Sequence, residues 1–208
     1  MKNLNILYIF IAILLFSCNG SEPNSPYVYE SNPYYSYGFA EFYGAYYKNS
    51  GIENNVISLS LYSDTLKKTD DGSWYGQYLY LEDVFVAPSD TLLTLKIYTI
   101  SNSKEPYTIV PGTLDTIDNE VYTYGARISY IEQNTAKSVL KRITEGTITV
   151  SKVGFKYFIN CDLKTSDDME LKGTFINVLI QTDESFKTGD IVPQKSRRHK
   201  LKMPFQNF

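Results

Sequence analysis

Between residues 34 and 180 the chain is a succession of β-branched and aromatic runs, broken every 8 to 15 residues by clusters of Gly, Pro, Asn and Asp. No stretch carries the apolar spacing of a long helix, and the runs are short enough to be strands. The connections are too short to hold crossover helices, which excludes parallel strand–helix–strand units. The expected fold is therefore all-β, an antiparallel barrel or flattened barrel or sandwich of about 8–10 strands.

Residues 144–180 are the clearest passage. TEGTITVSK, FKYFINCDL and MELKGTFINVLI are separated by Val153-Gly154 and by Lys164-Thr165-Ser166-Asp167-Asp168, which predicts a C-terminal three-stranded meander. In its middle strand Phe155, Tyr157, Ile159, Cys161 and Leu163 share one face and Lys156, Asn160, Asp162 and Lys164 the other, with Phe158 out of pattern. Period-two alternation of this kind puts one face in the core and one in water. Cys161 falls on the core face, where a free thiol behaves as a small hydrophobe.

Earlier strands are expected at 37–47, 55–63, 76–86, 92–100, 106–110 and 121–132, the best alternation being Ile57, Leu59 and Leu61 against Ser58, Ser60 and Tyr62. Turns fit Asn49-Ser50-Gly51, Asp70-Asp71-Gly72, Pro111-Gly112 and Asp118-Asn119, residues that supply positive φ or bond their own backbone. Residues 136–142 have room for one helical turn.

Ahead of the β region, the first seventeen residues contain one charge, Lys2, and an apolar run from Ile6 to Phe16. That is the length of a signal-peptide core and too short to span a bilayer, which takes roughly 20 apolar residues. Leu14-Leu15-Phe16-Ser17-Cys18 resembles the lipobox of bacterial lipoproteins, in which the cysteine receives a diacylglycerol and becomes the mature N-terminus. The resemblance implies cleavage before Cys18 and membrane attachment through acyl chains on that residue. Asn19, standing where Asp would favour inner-membrane retention, implies the outer membrane. The organisation expected is a signal peptide at 1–17, the lipidated cysteine and a Pro/Ser/Asn-rich flexible tether at 18–33, the β domain at 34–186 and a basic tail at 187–208.

Removal of residues 1–17 takes away Lys2 alone, leaving 19 basic and 23 acidic side chains and a net charge of −4. The tail from Lys187 holds six Lys/Arg against Asp190, so residues 18–186 carry −9. The basic tail lacks interleaved aromatics, and an envelope protein does not meet nucleic acid, so no nucleic-acid partner is expected. Folding back on the acidic body, contact with anionic headgroups or a short edge strand are the readings open to it.

GTITVSKVGFKYFINCDLKTSDDMELKGTF resembles a C-terminal pattern of small Bacteroidota-type lipoproteins, and AEFYGAYYKNSGIENNVISLSLYSD and IVPGTL are similar to other parts of that group. The resemblance spans roughly residues 37–176. It implies a calycin-like β-barrel and carries no functional residue, because its motifs are structural.

Catalytic chemistry finds little material. The sole histidine, His199, lies in the basic tail, so a Ser-His-Asp or Cys-His arrangement would need it to fold back into a site. Only Cys161 and His199 offer soft metal ligands. The doublets Glu82/Asp83, Asp167/Asp168 and Asp183/Glu184 point to opposite faces of a strand and form no facing pair. Asp115, Asp118, Asn119 and Glu120 depart from the EF-hand spacing, and turn chemistry accounts for them. No enzyme activity, cofactor or metal is expected.

Aromatic residues number 31 of 208 and crowd between Tyr27 and Tyr47. Tyrosine fills half-buried strand surfaces through its β propensity, and it also serves interfaces because it is amphipathic. The function expected is a membrane-anchored, non-enzymatic binding module for a glycan, peptide or protein partner. Trp74, Tyr75, Tyr43, Tyr46 and Tyr47 are its candidate contacts. The alternatives are a carrier holding a small apolar ligand in the barrel interior and a structural component of the envelope.

Overall fold

The computed structural model describes residues 29–63, 67–68, 74–117, 119–131 and 138–185. Cys18, the signal segment, the Asp70-Asp71-Gly72 turn and the basic tail with His199 lie outside the described residues. Among the described residues fourteen strands follow in chain order: β1 (Tyr34–Gly44), β2 (Asn55–Ser63), β3 (Lys67–Lys68), β4 (Trp74–Val86), β5 (Ile97–Ile100), β6 (Thr108–Ile109) and β7 (Thr113–Ile117), then β8 (Glu120–Tyr124), β9 (Arg127–Ile131), β10 (Ser138–Val153), β11 (Lys156–Thr165), β12 (Glu170–Leu171), β13 (Thr174–Asn177) and β14 (Ile180–Asp183). Among the described residues a single 3₁₀ turn, Lys48–Ser50, is closed by Gly51 at φ 79°.

The fold is all-β, as the alternation predicts. β1, β2, β4, β9, β10, β11 and β13 pair in that order and β13 returns to β1, so the sheet closes into a ring. It is not a regular barrel. β4 and β10 are 13 and 16 residues long, and no single strand spans the space between them. β9 bridges their lower halves, pairing Gly76–Tyr80 and Ser138–Arg142, while β5 and β6 fill the upper halves.

An all-antiparallel sheet was expected, and here the structure differs. β1 runs parallel to β13 and β14, and β5 parallel to β6. Parity explains the first case: six antiparallel pairings lead from β1 round to β13, so β13 again runs in the direction of β1 when the ring closes.

The C-terminal meander is present as β10, β11 and β12/β13. Its third strand is broken at Lys172-Gly173, where the Tyr35 ring lies so close that a Cβ on Gly173 would sit 2.4 Å from it. Within β11, Tyr157, Ile159, Cys161 and Leu163 are buried as expected, but Phe155 is 86% exposed. It belongs to the two-residue turn and has left the alternation. The helical turn expected at 136–142 is replaced by strand over its described part, because Ser138–Arg142 pairs with β9. The single strand expected at 121–132 is two, since Gly125 at φ 72° turns the chain between β8 and β9. β8 instead pairs with β7 in a side hairpin off the ring, turning at Asn119 with φ 67°.

One contiguous core fills the ring, with Tyr35, Ile57, Leu59, Leu61, Leu79 and Ile128 among its fully buried members. A smaller cluster of Tyr47, Val56 and Phe85 lies on the opposite side of β2 and β4, under the 45–52 loop.

The ring has two ends. At one, the chain enters: Glu30 N–H donates to Gln77 Oε1 at 3.1 Å, Gln77 Nε2 donates to the Glu30 carbonyl at 2.9 Å, and the Tyr29 ring stands edge-on to Tyr130. Residues 29–33, expected as tether, are thus bonded to the domain. At the other end Leu93 is buried, its N–H donates to Gln181 Oε1 at 3.0 Å, and Gln181 Nε2 donates to the Tyr157 hydroxyl at 2.9 Å. Among the described residues, no helix is long and apolar enough to cross a membrane.

Candidate functional site

Alternation that puts Leu59, Leu61 and Leu79 inside the ring turns their neighbours outward. Across β1, β2, β4 and β9 the outward residues align in register: Tyr37, Tyr62, Tyr78 and Ser129 in one row, Phe39, Ser60, Tyr80 and Arg127 in the next. Tyr62 and Tyr78 stack with centroids 5.7 Å apart, and Phe39 stands edge-on to Tyr62 at 6.0 Å. Arg127 lies over the Tyr80 ring at 4.4 Å, a cation–π contact. Tyr62 and Tyr78 are buried and form a floor, Phe39 and Tyr80 are half-buried, and Tyr37 is 49% exposed. Burial raises the pKa of both floor hydroxyls, so they stay protonated and neutral at ordinary pH.

Above these rows β4 carries an extra residue between Leu81 and Val84, opposite the Leu59–Ile57 step of β2. This bulge lets two consecutive acids be held on separate partners. Glu82 Oε2 accepts from Arg127 Nη1 at 3.0 Å and from the Gly125 N–H at 3.0 Å. Asp83 Oδ2 accepts from the Tyr47 hydroxyl at 2.7 Å. Nearby, Glu41 Oε2 accepts from Tyr43 and Ser58 hydroxyls at 2.8 and 3.1 Å. Glu82, Asp83, Ser58 and Arg127 are all buried. Each carboxylate thus sits in a bond that holds loop to sheet or strand to strand.

The residues singled out from sequence divide between the two ends of β4. Tyr43, Tyr46 and Tyr47 come together near its C-terminal end, with ring centroids 6.4 Å apart for Tyr43–Tyr46 and 5.0 Å for Tyr46–Tyr47. Tyr47 is buried against Phe85 and bonded to Asp83, which gives it a packing role. Trp74 and Tyr75 begin β4 at the other end, paired in the backbone with Lys68 and Lys67, about 40 Å along a 13-residue strand. The buried Glu82–Arg127 pair was missed. Its signal was a charged doublet inside the apolar run Tyr78–Val86 and a lone arginine opening β9.

Inside the ring, Cys161 is buried and burial pushes its pKa up to about 12, which keeps it a thiol rather than the reactive thiolate. The Tyr35 hydroxyl is buried with no hydrogen-bond partner. Asp115 accepts the Thr116 N–H at 2.9 Å through Oδ1, a local turn bond. Among the described residues, no group of three His, Cys, Asp or Glu is placed to hold a metal ion.

No protein-family model, curated protein or solved structure matches the chain.

Proposed function

We propose that this chain is a membrane-anchored, non-enzymatic lipoprotein whose β domain binds a glycan, peptide or protein partner, with the acyl chains on Cys18 holding it to the outer membrane. The observation that carries the binding reading is the outward aromatic floor. Tyr62 and Tyr78 stack across β2 and β4, with Phe39, Tyr80 and exposed Tyr37 around them. Tyr37 is exposed and Phe39 and Tyr80 are half-buried beside that floor, and amphipathic aromatic rings of this kind suit the alternating apolar and polar surface of a sugar ring or an extended peptide. The contact residues this favours are Tyr37, Phe39, Tyr80, Tyr43 and Tyr46. Trp74 and Tyr75 stand at the far end of the strand and would form a separate contact. One contiguous core packs inside the ring, between Leu93 at one end and Glu30 and Gln77 at the other, and this favours the surface reading over the carrier alternative.

Two measurements test the proposal. Radioactive palmitate should label the wild-type chain and not Cys18→Ala; label persisting in the variant removes the anchor. Glycan and peptide arrays should return a ligand whose affinity drops at least tenfold in Tyr37→Ala or Tyr80→Ala. Empty arrays, or a ligand indifferent to both substitutions and to Trp74→Ala, would sink the binding reading.

A further inference from the structure

The end of the ring away from Tyr29 has an unusual surface. Leu92 is 54% exposed, Leu95 49%, Ile97 60%, Val153 70%, Phe155 86% and Val178 55%. These side chains belong to neighbouring segments. Val150 N–H donates to the Lys96 carbonyl at 2.9 Å, Ile97 is opposite Thr149, Val153 opposite Lys156, and Asn177 opposite Tyr157. Behind them Leu93, Tyr157 and Gln181 close the core, so the exposed residues form a rim around a plugged end. Soluble surfaces rarely gather large apolar side chains without a partner to cover them.

Charge identifies the partner. Residues 91–98, 150–160 and 176–181 contain three lysines, Lys96, Lys152 and Lys156, and no Asp or Glu, in a body that carries −9. Asp90, at the edge of the rim, is bonded inward to Thr94 Oγ1 at 2.9 Å and to the Tyr107 hydroxyl at 3.3 Å. Lys152 Nζ sits 4.7 Å over the Tyr157 ring and Lys96 Nζ 5.6 Å over Tyr107, so both ammonium groups rest on aromatic rings at this end of the domain. Two rims brought face to face would oppose lysine to lysine. The tail 187–208 is basic and would meet the same repulsion. Exposed apolar side chains ringed by lysine are instead complementary to an anionic lipid surface, where the tips enter the acyl boundary and the ammonium groups meet headgroup phosphates.

We propose that this rim is a membrane-docking surface for anionic bilayers, with Phe155 at its most protruding point. It goes beyond the acyl anchor and does not need it, but the two are compatible. The eleven residues from Cys18 to Tyr29 reach at most about 36–40 Å, and the ten-residue β11 spans roughly 33 Å between the two ends, so one bilayer can hold Cys18 and receive the rim.

The test places a tryptophan at the tip. Phe155→Trp in the full chain, read against the unsubstituted chain to remove Trp74, should blue-shift on vesicles of phosphatidylcholine and phosphatidylglycerol and be quenched by brominated acyl chains. Lys96→Gln, Lys152→Gln and Lys156→Gln together should lower its partitioning on the order of a hundredfold. Circular dichroism checks that each variant folds. Absence of quenching, equal partitioning to pure phosphatidylcholine, or self-association abolished by Phe155→Asp would each overturn the proposal. Repeating the quenching in Cys18→Ala separates the two readings: loss of palmitate label with quenching retained leaves the rim standing without the anchor, and label retained without quenching does the reverse.

Discussion

Glu82 and Arg127 form an ion pair at 3.0 Å with both side chains only 3% exposed, joining β4 to β9 at the bulge that ends their ladder. A buried pair gains little over an apolar pair of the same shape, yet removal of one partner strands the other charge in a poorly solvated place. Arg127→Ala should therefore lower stability by about 3–5 kcal/mol, and Glu82→Leu with Arg127→Met should recover most of that loss. Urea midpoints at unchanged slope measure both. A single substitution costing under about 1 kcal/mol would show that water reaches the pair.

Cys161 sets the alkaline limit of the fold. Its thiol is held at a pKa of about 12 by burial, against an ordinary value of 9.0. Between those values the folded chain keeps a proton that the unfolded chain releases, so rising pH favours unfolding, with a slope of up to about 1.4 kcal/mol per pH unit for the one group. Stability is full below pH 9 and falls above it. Tyr98, raised by burial from 10.0 to about 12, adds to the decline from pH 10. In Cys161→Ala the loss should begin near pH 10 instead of 9, as read by denaturation across the pH series. With Cys18 replaced, the remaining thiol should ignore a disulfide reagent until the chain is unfolded.

Most strand positions were legible because alternation is a local signal, although of 92–100 only Ile97–Ile100 is strand and β7 has no counterpart among the strands expected. β2 was bounded correctly at both ends, and the meander was recognisable from its two turns. Ring closure was not legible, since it depends on β1 meeting β13 and β14 after some 140 residues, and nothing local encodes that partner. The short strands β6, β12 and β13 owe their limits to neighbours such as the Tyr35 ring at Gly173. Of the candidate contacts, Tyr43 and Tyr46 were placed together by proximity in sequence. The outward rows Tyr37–Tyr62–Tyr78 and Tyr80–Arg127 needed cross-strand register, which spacing along one strand cannot supply.

Phe155, in the turn between β10 and β11, and Phe175, in β13, differ in environment. Phe155 is 86% exposed and Phe175 fully buried. Phe155→Ser should leave stability within about 0.5 kcal/mol of wild type, whereas Phe175→Ala should cost about 3–5 kcal/mol through lost burial and the cavity left behind. Thermal melts of the two variants decide it. A large loss for Phe155→Ser would return that residue to the core face the alternation alone assigned to it.

Two glycines at positive φ separate backbone strain from steric collision. Gly146 has φ 117°, and a Cβ there would lie 2.2 Å from the Asp162 carbonyl oxygen on the paired strand. Gly154, at φ 57° in the β10–β11 turn, has nothing within 4 Å of the same position. Alanine at Gly154 meets only the left-handed penalty, about 1–2 kcal/mol. Alanine at Gly146 adds to its unfavourable φ a contact that only a shift of β10 from β11 can relieve, just after the irregularity between Ile143 and Glu145. Gly146→Ala should therefore lower the urea midpoint more than Gly154→Ala, and amide exchange at Leu163 and Lys164 should quicken in the first variant alone. Equal midpoints would mean that the ladder yields at Gly146 without cost, and that the close approach of the two strands there is not what fixes their register.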